Sequence, residues 1–249
     1  MTAIIMLKKT FSLGEVLSSS FQFVFSNFSK RLKDGFVIVF IVTVAFNLLN
    51  FLISKSIATN FTIVLFILFS MFLTSSIGIS VHREILVKIK QPYLSELLTA
   101  NCFKYFLTIL TLTIIAVSPL LIHYLFKSSG NLKILNLDIS YLFFLWIFSV
   151  IISLKFIFNL PKIALNKKTQ FSIKSMNECG NKLFVLFIVI TLIFFIPSFI
   201  ILSVQITLLT NNQEIYAIAK PLFDLLSFYI SYINYLVLFA AISFAYQKS

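Results

Sequence analysis

The stretch KIALNKKTQFSIKSMNECGNK, residues 162–182, followed by LFVLFIVITLIFFIPSFIILSVQITLL, residues 183–209, decides how this chain folds. The first piece is basic and amphipathic; the second runs for 27 residues without a charge. About 20 apolar residues at about 1.5 Å rise already cross the hydrocarbon core of a bilayer, so 183–209 reads as a membrane-spanning helix. The same unit, a polar lead-in followed by an apolar run, recurs earlier in the chain.

Composition agrees. Of 249 residues, 59% are apolar and 11% charged, against about 25% charged in an ordinary soluble domain. A water-soluble core of this length cannot hide that much apolar surface, so the bilayer is part of the solvent. The net charge of +12 would also suit a nucleic-acid binder. The cations sit in short segments between apolar runs, however, where they set membrane orientation, and no nucleic-acid partner is expected. Cys102 and Cys179 both fall on the basic side, the reducing one, so no structural disulfide is expected. The leader MTAIIMLKKTFSLGEVL has no continuous apolar core and does not read as a cleavable signal peptide, which leaves the first span to direct insertion.

In chain order, residues 12–29 read as an amphipathic helix at the membrane interface. Ser12 and Glu15 form the S-x-x-E pattern of a capping box. Leu13, Leu17, Phe21, Val24, Phe25 and Phe28 share one face and Glu15, Ser18, Gln22, Ser26 and Ser29 the other, with Val16 and Phe23 breaking the pattern. Lys30, Arg31 and Lys33 follow, as where a helix meets anionic headgroups. Such a helix either senses lipid or packs on the protein's own spans. Spans are then predicted at 35–54 and 60–81, joined by a short loop. The polar segment 82–104 follows, with Pro92 suited to a first helical turn and Leu94, Leu98 and Tyr105 on one face. Further spans are predicted at 105–126, 140–160 (ending at Pro161), 183–209 and 221–246, the last opening at Pro221. The segment 162–182 is the third amphipathic lead-in, with Ile173, Met176, Gly180 and Leu183 along one side. Lys155, near the end of the fourth span, is placed to snorkel to the basic surface.

The loops count in one direction. Lys8, Lys9, Lys30, Arg31, Lys33, Arg83, Lys88, Lys90, Lys104, Lys155, Lys162, Lys167, Lys168, Lys174, Lys182 and Lys248 lie on the side of the amino terminus; Lys55, Lys127, Lys133 and Lys220 lie on the other. That partition puts both termini in the cytoplasm with six spans. A shift of 78 residues carries Lys104 onto Lys182 and Pro119 onto Pro197. The expected fold is therefore an all-α integral membrane protein: six transmembrane helices as three helical hairpins, each preceded by an amphipathic interfacial helix.

Chemistry-bearing patterns are scarce. Eight acidic residues and two histidines leave little for catalysis. His82 and His123 fall on opposite membrane faces and lack metal-ligand partners at helical spacing, and Glu84 and Glu96 give no sequence reason to converge. There is no phosphate-cradling glycine pattern or nucleophile elbow. No catalytic, cofactor-binding or metal residues are assigned, and no cofactor is expected. The polar residues at membrane depth are Asn47, Asn50, Asn159, Gln205, Asp224 and Asn234; they hydrogen-bond neighbouring helices or, together, form an intramembrane site. Asp224, four residues after Lys220, also has the spacing of an interfacial ion pair. The expected partners are the bilayer, with anionic headgroups on the cytoplasmic side, and either another membrane protein or a second copy of this chain.

Four features resemble the YciC-type bacterial inner-membrane proteins and the related membrane domain found beside some glycerophosphodiester phosphodiesterases. They are FSLGEVLSSSFQFVFSNF (11–28), QPYLSELLTANCFKYF (91–106), LKFIFNLPKIALNKKTQFSIKSMNECGNKLF (154–184), and the prolines Pro119 and Pro197. Gly14, Glu15 and Leu17 fit that family's leader; Pro161 and Ser175 fit its post-span segment, where Asn166 stands in place of an acid. The resemblance implies a bacterial inner-membrane protein of envelope or lipid homeostasis with no catalytic residue of its own. The alternative expectation is a transporter or permease subunit built on the six polar positions.

Overall fold

The computed structural model describes residues 11–57, 59–128, 139–171 and 179–249. They form helices α1 (Leu13–Phe25), α2 (Phe28–Ser54), α3 (Asn60–Leu86), α4 (Ala100–Ser128), α5 (Ile139–Lys155), α6 (Asn159–Ala164), α7 (Gly180–Asn211) and α8 (Gln213–Lys248), with a 3₁₀ turn at Tyr93–Glu96 and no strand among the described residues. Six segments are long and apolar enough to cross a membrane: α2, α3, α4, α5 continued by α6, α7 and α8. The outward faces of these helices bear the same stamp. Along α7 the side chains of Leu192, Phe195, Ile196, Phe199 and Ile200 are all exposed, a continuous apolar surface that water does not tolerate and lipid does. The protein is a multi-pass helical membrane protein.

Helices α2, α3, α4, α5, α7 and α8 pack in that cyclic order, each against the next and α8 back against α2, while α3 also crosses the ring to meet α8. The helix with most polar residues, α8, is also the most buried: 39% of its most apolar window lies inside the protein, against 17% for α7. Close approach explains how α8 sits so deep. Gly35 of α2 lies against the ring of Tyr232, leaving no room for a Cβ, and Gly78 of α3 lies in the same way under Tyr105 of α4. The buried residues of α3 and α8 gather toward the end holding Arg31, Arg83 and the carboxyl terminus, called here the basic end.

Helix α1 lies across that end on α8 and α7. Its buried stripe is Val16, Ser20 and Val24, four residues apart, so the face that packs includes Val16, which the apolar pattern set aside. Small side chains let the two backbones approach. The capping box at Ser12 is not made; Glu15 reaches Lys248 instead, 2.7 Å away. Lys248 holds the Glu15 carboxylate below its ordinary range. With the folded value depressed, what the pair adds is present above the unfolded carboxylate range and disappears as pH falls through the folded value. Solvent screens so exposed a pair, and Glu15→Gln is expected to leave the melting temperature in detergent unchanged at neutral pH.

Several predicted boundaries move. Helix α2 begins seven residues before Gly35, because that glycine is a packing contact rather than a start. Helix α3 continues to Leu86, so residues 82–86 are helical and continuous with the second predicted span. Leu98 is 99% exposed while Tyr105 is fully buried, so Leu94, Leu98 and Tyr105 form no common face; the 3₁₀ turn and the late start of α4 break the register. The fourth span bends at 156–158 and resumes as α6, which takes Pro161 inside it. Helix α8 starts at Gln213, where Asn212 Oδ1 accepts from the Ile215 amide at 3.1 Å, and Pro221 lies inside it. Pro119 and Pro197 lie inside α4 and α7. The expected lead-in face at Ile173 and Met176, and Ser175, lie outside the described residues.

Three helices end without glycine on residues with positive φ: Ser56 at 56°, Lys88 at 60° and Asn166 at 56°. After α2 and α6 the next amide reaches back to close the end, Ile57 to the Leu52 carbonyl and Lys167 to the Lys162 carbonyl. Asparagine tolerates this conformation; serine does so at a cost of about 1 kcal/mol. Ser56→Gly is therefore expected to raise stability by about 0.5–1 kcal/mol, read as a higher melting temperature in detergent.

Candidate functional site

The basic end is held by two arginines drawn out of solvent. Arg31, 2% exposed, forks onto Glu84: Nη1 donates to Oε2 at 3.1 Å and Nη2 to Oε1 at 3.2 Å. Its Nε donates to the Phe23 carbonyl at 3.0 Å, and the guanidinium lies 3.8 Å over the Phe23 ring. Planarity and five donors suit arginine to this combination of carboxylate fork and ring stacking. Arg31 is thus not a headgroup-facing cation as its sequence neighbours suggested; it joins α1, α2 and α3. Arg83 Nη1 donates to the Glu96 carboxylate and to the Gln91 side-chain Oε1, and its Nε donates to the Ala164 carbonyl at 2.8 Å. Glu84 and Glu96 do not meet; each takes its own arginine. Tyr93 packs edge-on to Tyr232 at 6.3 Å, and burial pushes its phenol above the ordinary range.

Just inside lies a fully buried chain of polar groups. His82 is 0% exposed, its Nδ1 2.6 Å from Ser243 Oγ and its Nε2 2.8 Å from Tyr105 Oη. Ser243 Oγ donates its one proton to the Phe239 carbonyl at 2.9 Å, so toward His82 it accepts. That assigns the proton to Nδ1 and makes Nε2 the acceptor of the Tyr105 hydroxyl. Every member is satisfied, and α3, α4 and α8 are pinned together. Tyr105→Phe leaves Nε2 buried without a donor and is expected to cost about 1–3 kcal/mol, measured as a lower unfolding midpoint in detergent.

Above this layer the helices bound an open-sided cavity of about 610 Å³, within the usual size range of small-molecule sites. Phe239 and Tyr232 stand between it and the polar layer, and Tyr232 Oη donates to the Arg31 carbonyl at 2.7 Å. Toward the other end Phe66 and Phe228 line it and are bridged by Phe46, with ring centroids 5.8 and 5.3 Å apart. No lining residue is charged. Hydroxyls are present, but Thr74 donates to the Ser70 carbonyl, Ser153 to that of Val150 and Ser231 to that of Ser227, all within their own helices. The Ser70 hydroxyl has no partner.

None of the six polar positions from the sequence lines this cavity. Asn47 donates to the Thr43 carbonyl one turn back. Asn159 donates to the Gln170 carbonyl at 3.0 Å and steadies the chain after α6. Asp224 takes Lys220 at 2.7 Å, the pair its spacing suggested. Asn50 and Gln205 are half-buried, and Asn234 keeps a buried, unpartnered Oδ1. Asn166, the residue in place of an acid, accepts from Asn101 at 2.6 Å. Among the described residues no three His, Cys, Asp or Glu side chains gather as a metal site, and Cys102 and Cys179 are buried thiols rather than a disulfide. The sequence carried no signal for Arg31–Glu84, for the His82 chain or for the cavity, since each joins helices far apart in the chain.

These features define the class: a multi-pass helical membrane protein with a packed polar layer at one end and an uncharged cavity inside its ring of helices. Comparison with protein-family models, with curated proteins and with solved structures finds no match.

Proposed function

We propose that this is a non-enzymatic protein of the bacterial inner membrane, acting in envelope or lipid homeostasis, with both termini and the basic end at the cytoplasmic leaflet. The uncharged cavity carries the reading. A wall without a carboxylate, cation, imidazole or thiol holds no acid–base pair and no counter-charge for an ion, while its aliphatic and aromatic side chains suit contact with hydrocarbon. Lysines outside the ion-paired layer, among them Lys30, Lys33 and Lys88, supply the positive surface that anionic headgroups attract. The three-unit arrangement, with interfacial lead-ins before paired spans, belongs to the same proposal, as does membership of the YciC-type family. A membrane-protein partner or a second copy of the chain fits alongside it.

Transport, the second reading, called for polar residues converging on one cavity, and none of the six candidates lines this one. The test is deletion of the gene, followed by lipid analysis and challenge with detergent and antibiotics that stress the envelope. Altered phospholipid composition or sensitivity is expected, restored by the wild-type chain; an unchanged envelope and lipid profile would contradict the reading.

A further inference from the structure

We propose that the cavity holds one hydrocarbon tail of a membrane phospholipid, with the headgroup left outside the ring of helices. This deepens the reading above and rests on the helices standing in a bilayer. Four observations converge on it.

The first is chemistry. The walls carry no charge, so a phosphate or carboxylate drawn inside would be stripped of water without a partner. The second is the state of the hydroxyls. Thr74, Ser153 and Ser231 already donate to their own helices. Water needs two to four polar partners to stay in a cavity, and among the described residues Ser70 is the one buried hydroxyl of this wall left without a partner. The third is length. From Phe66 to Ile77 along α3 is eleven steps, about 16 Å at about 1.5 Å per residue, close to half of a hydrocarbon core about 30 Å thick, the depth of one leaflet's tails. The fourth is access. Ile67 is 50% exposed and Tyr235 42% exposed though both are lining residues, so the space is not sealed from the bilayer. A void of this size left empty would forfeit the dispersion contacts of all its walls, and the nearest apolar filler is a lipid chain.

The experiment uses the full chain reconstituted in vesicles of phosphatidylethanolamine and phosphatidylglycerol containing a phospholipid with a diazirine in one acyl chain. After irradiation, adducts are mapped by mass spectrometry. In the wild type, adducts are expected at Thr74, Leu112 or Phe239 as well as on the outward face of α7 at Phe195 and Phe199. In the Ala116→Phe/Ser153→Phe variant, which fills the cavity, the inner adducts are expected to fall at least tenfold while those on α7 stay constant. If that variant does not elute as a single species, Thr113→Trp fills the space from another position with the same expectation. Absence of inner adducts in the wild type, or their persistence in the filled variant, overturns the proposal. A diazirine fatty acid run in parallel distinguishes the source: inner adducts from the free acid but not from the phospholipid overturn a tethered tail. Loss of α7 adducts from the wild type would instead sink the membrane reading.

Discussion

Glu84→Ala is expected to destabilise the protein by about 3–5 kcal/mol, the cost of leaving a buried guanidinium without its counter-charge. Arg31 cannot turn to water: it is 2% exposed, fixed by the Phe23 carbonyl and ring on one side and by Glu84 on the other. The loss should appear as a large fall in the unfolding midpoint in detergent. Arg31→Met combined with Glu84→Leu removes both charges together and should restore most of the stability, since apolar replacement of a whole buried pair is nearly neutral. Equal losses in the single and double variants would show that the pair is not what holds α2 to α3.

Gly78→Ala is the second large effect. A Cβ there overlaps the Tyr105 ring, and that ring has nowhere to go: it is fully buried and its hydroxyl is spent on His82. Overpacking costs about 1–3 kcal/mol, and displacing the hydroxyl adds about 1–3 kcal/mol for the orphaned His82 nitrogen. In a Tyr105→Leu background the same substitution should be far milder, because the atoms it strikes are gone. A double-mutant cycle reads this as coupling between the two positions. Additive costs would contradict the contact.

What the sequence showed and what it hid divide along a physical line. Apolar runs are local and long, so the six candidate spans were legible at once. Lys220 and Asp224 are one helical turn apart, and their pair was legible for the same reason. Arg31 and Glu84 are 53 residues apart and His82 and Ser243 are 161 apart; such partners are chosen by which helices pack, and periodicity is silent on that. The leader shows how a local rule is overridden. Ser12 and Glu15 have capping-box spacing, yet Glu15 is drawn to Lys248, 233 residues on. Val16 looked like a flaw in an amphipathic pattern because periodicity ranks a face by its apolar residues and not by what packs on it. On the bundle it is one end of the buried stripe that runs through Ser20 to Val24. The cavity was hidden because its walls read as ordinary apolar helix in every segment that forms it.

The most direct test of orientation, on which the proposed role depends, is single-cysteine labelling in a background with Cys102 and Cys179 replaced by alanine. Ser12→Cys, Ser56→Cys, Asn212→Cys and Ser249→Cys are each expressed in bacterial spheroplasts and treated with a membrane-impermeant maleimide. Ser56→Cys and Asn212→Cys are expected to label at once, and Ser12→Cys and Ser249→Cys only after the membrane is permeabilised. Labelling of either terminal position in intact spheroplasts would contradict a basic end at the cytoplasmic leaflet.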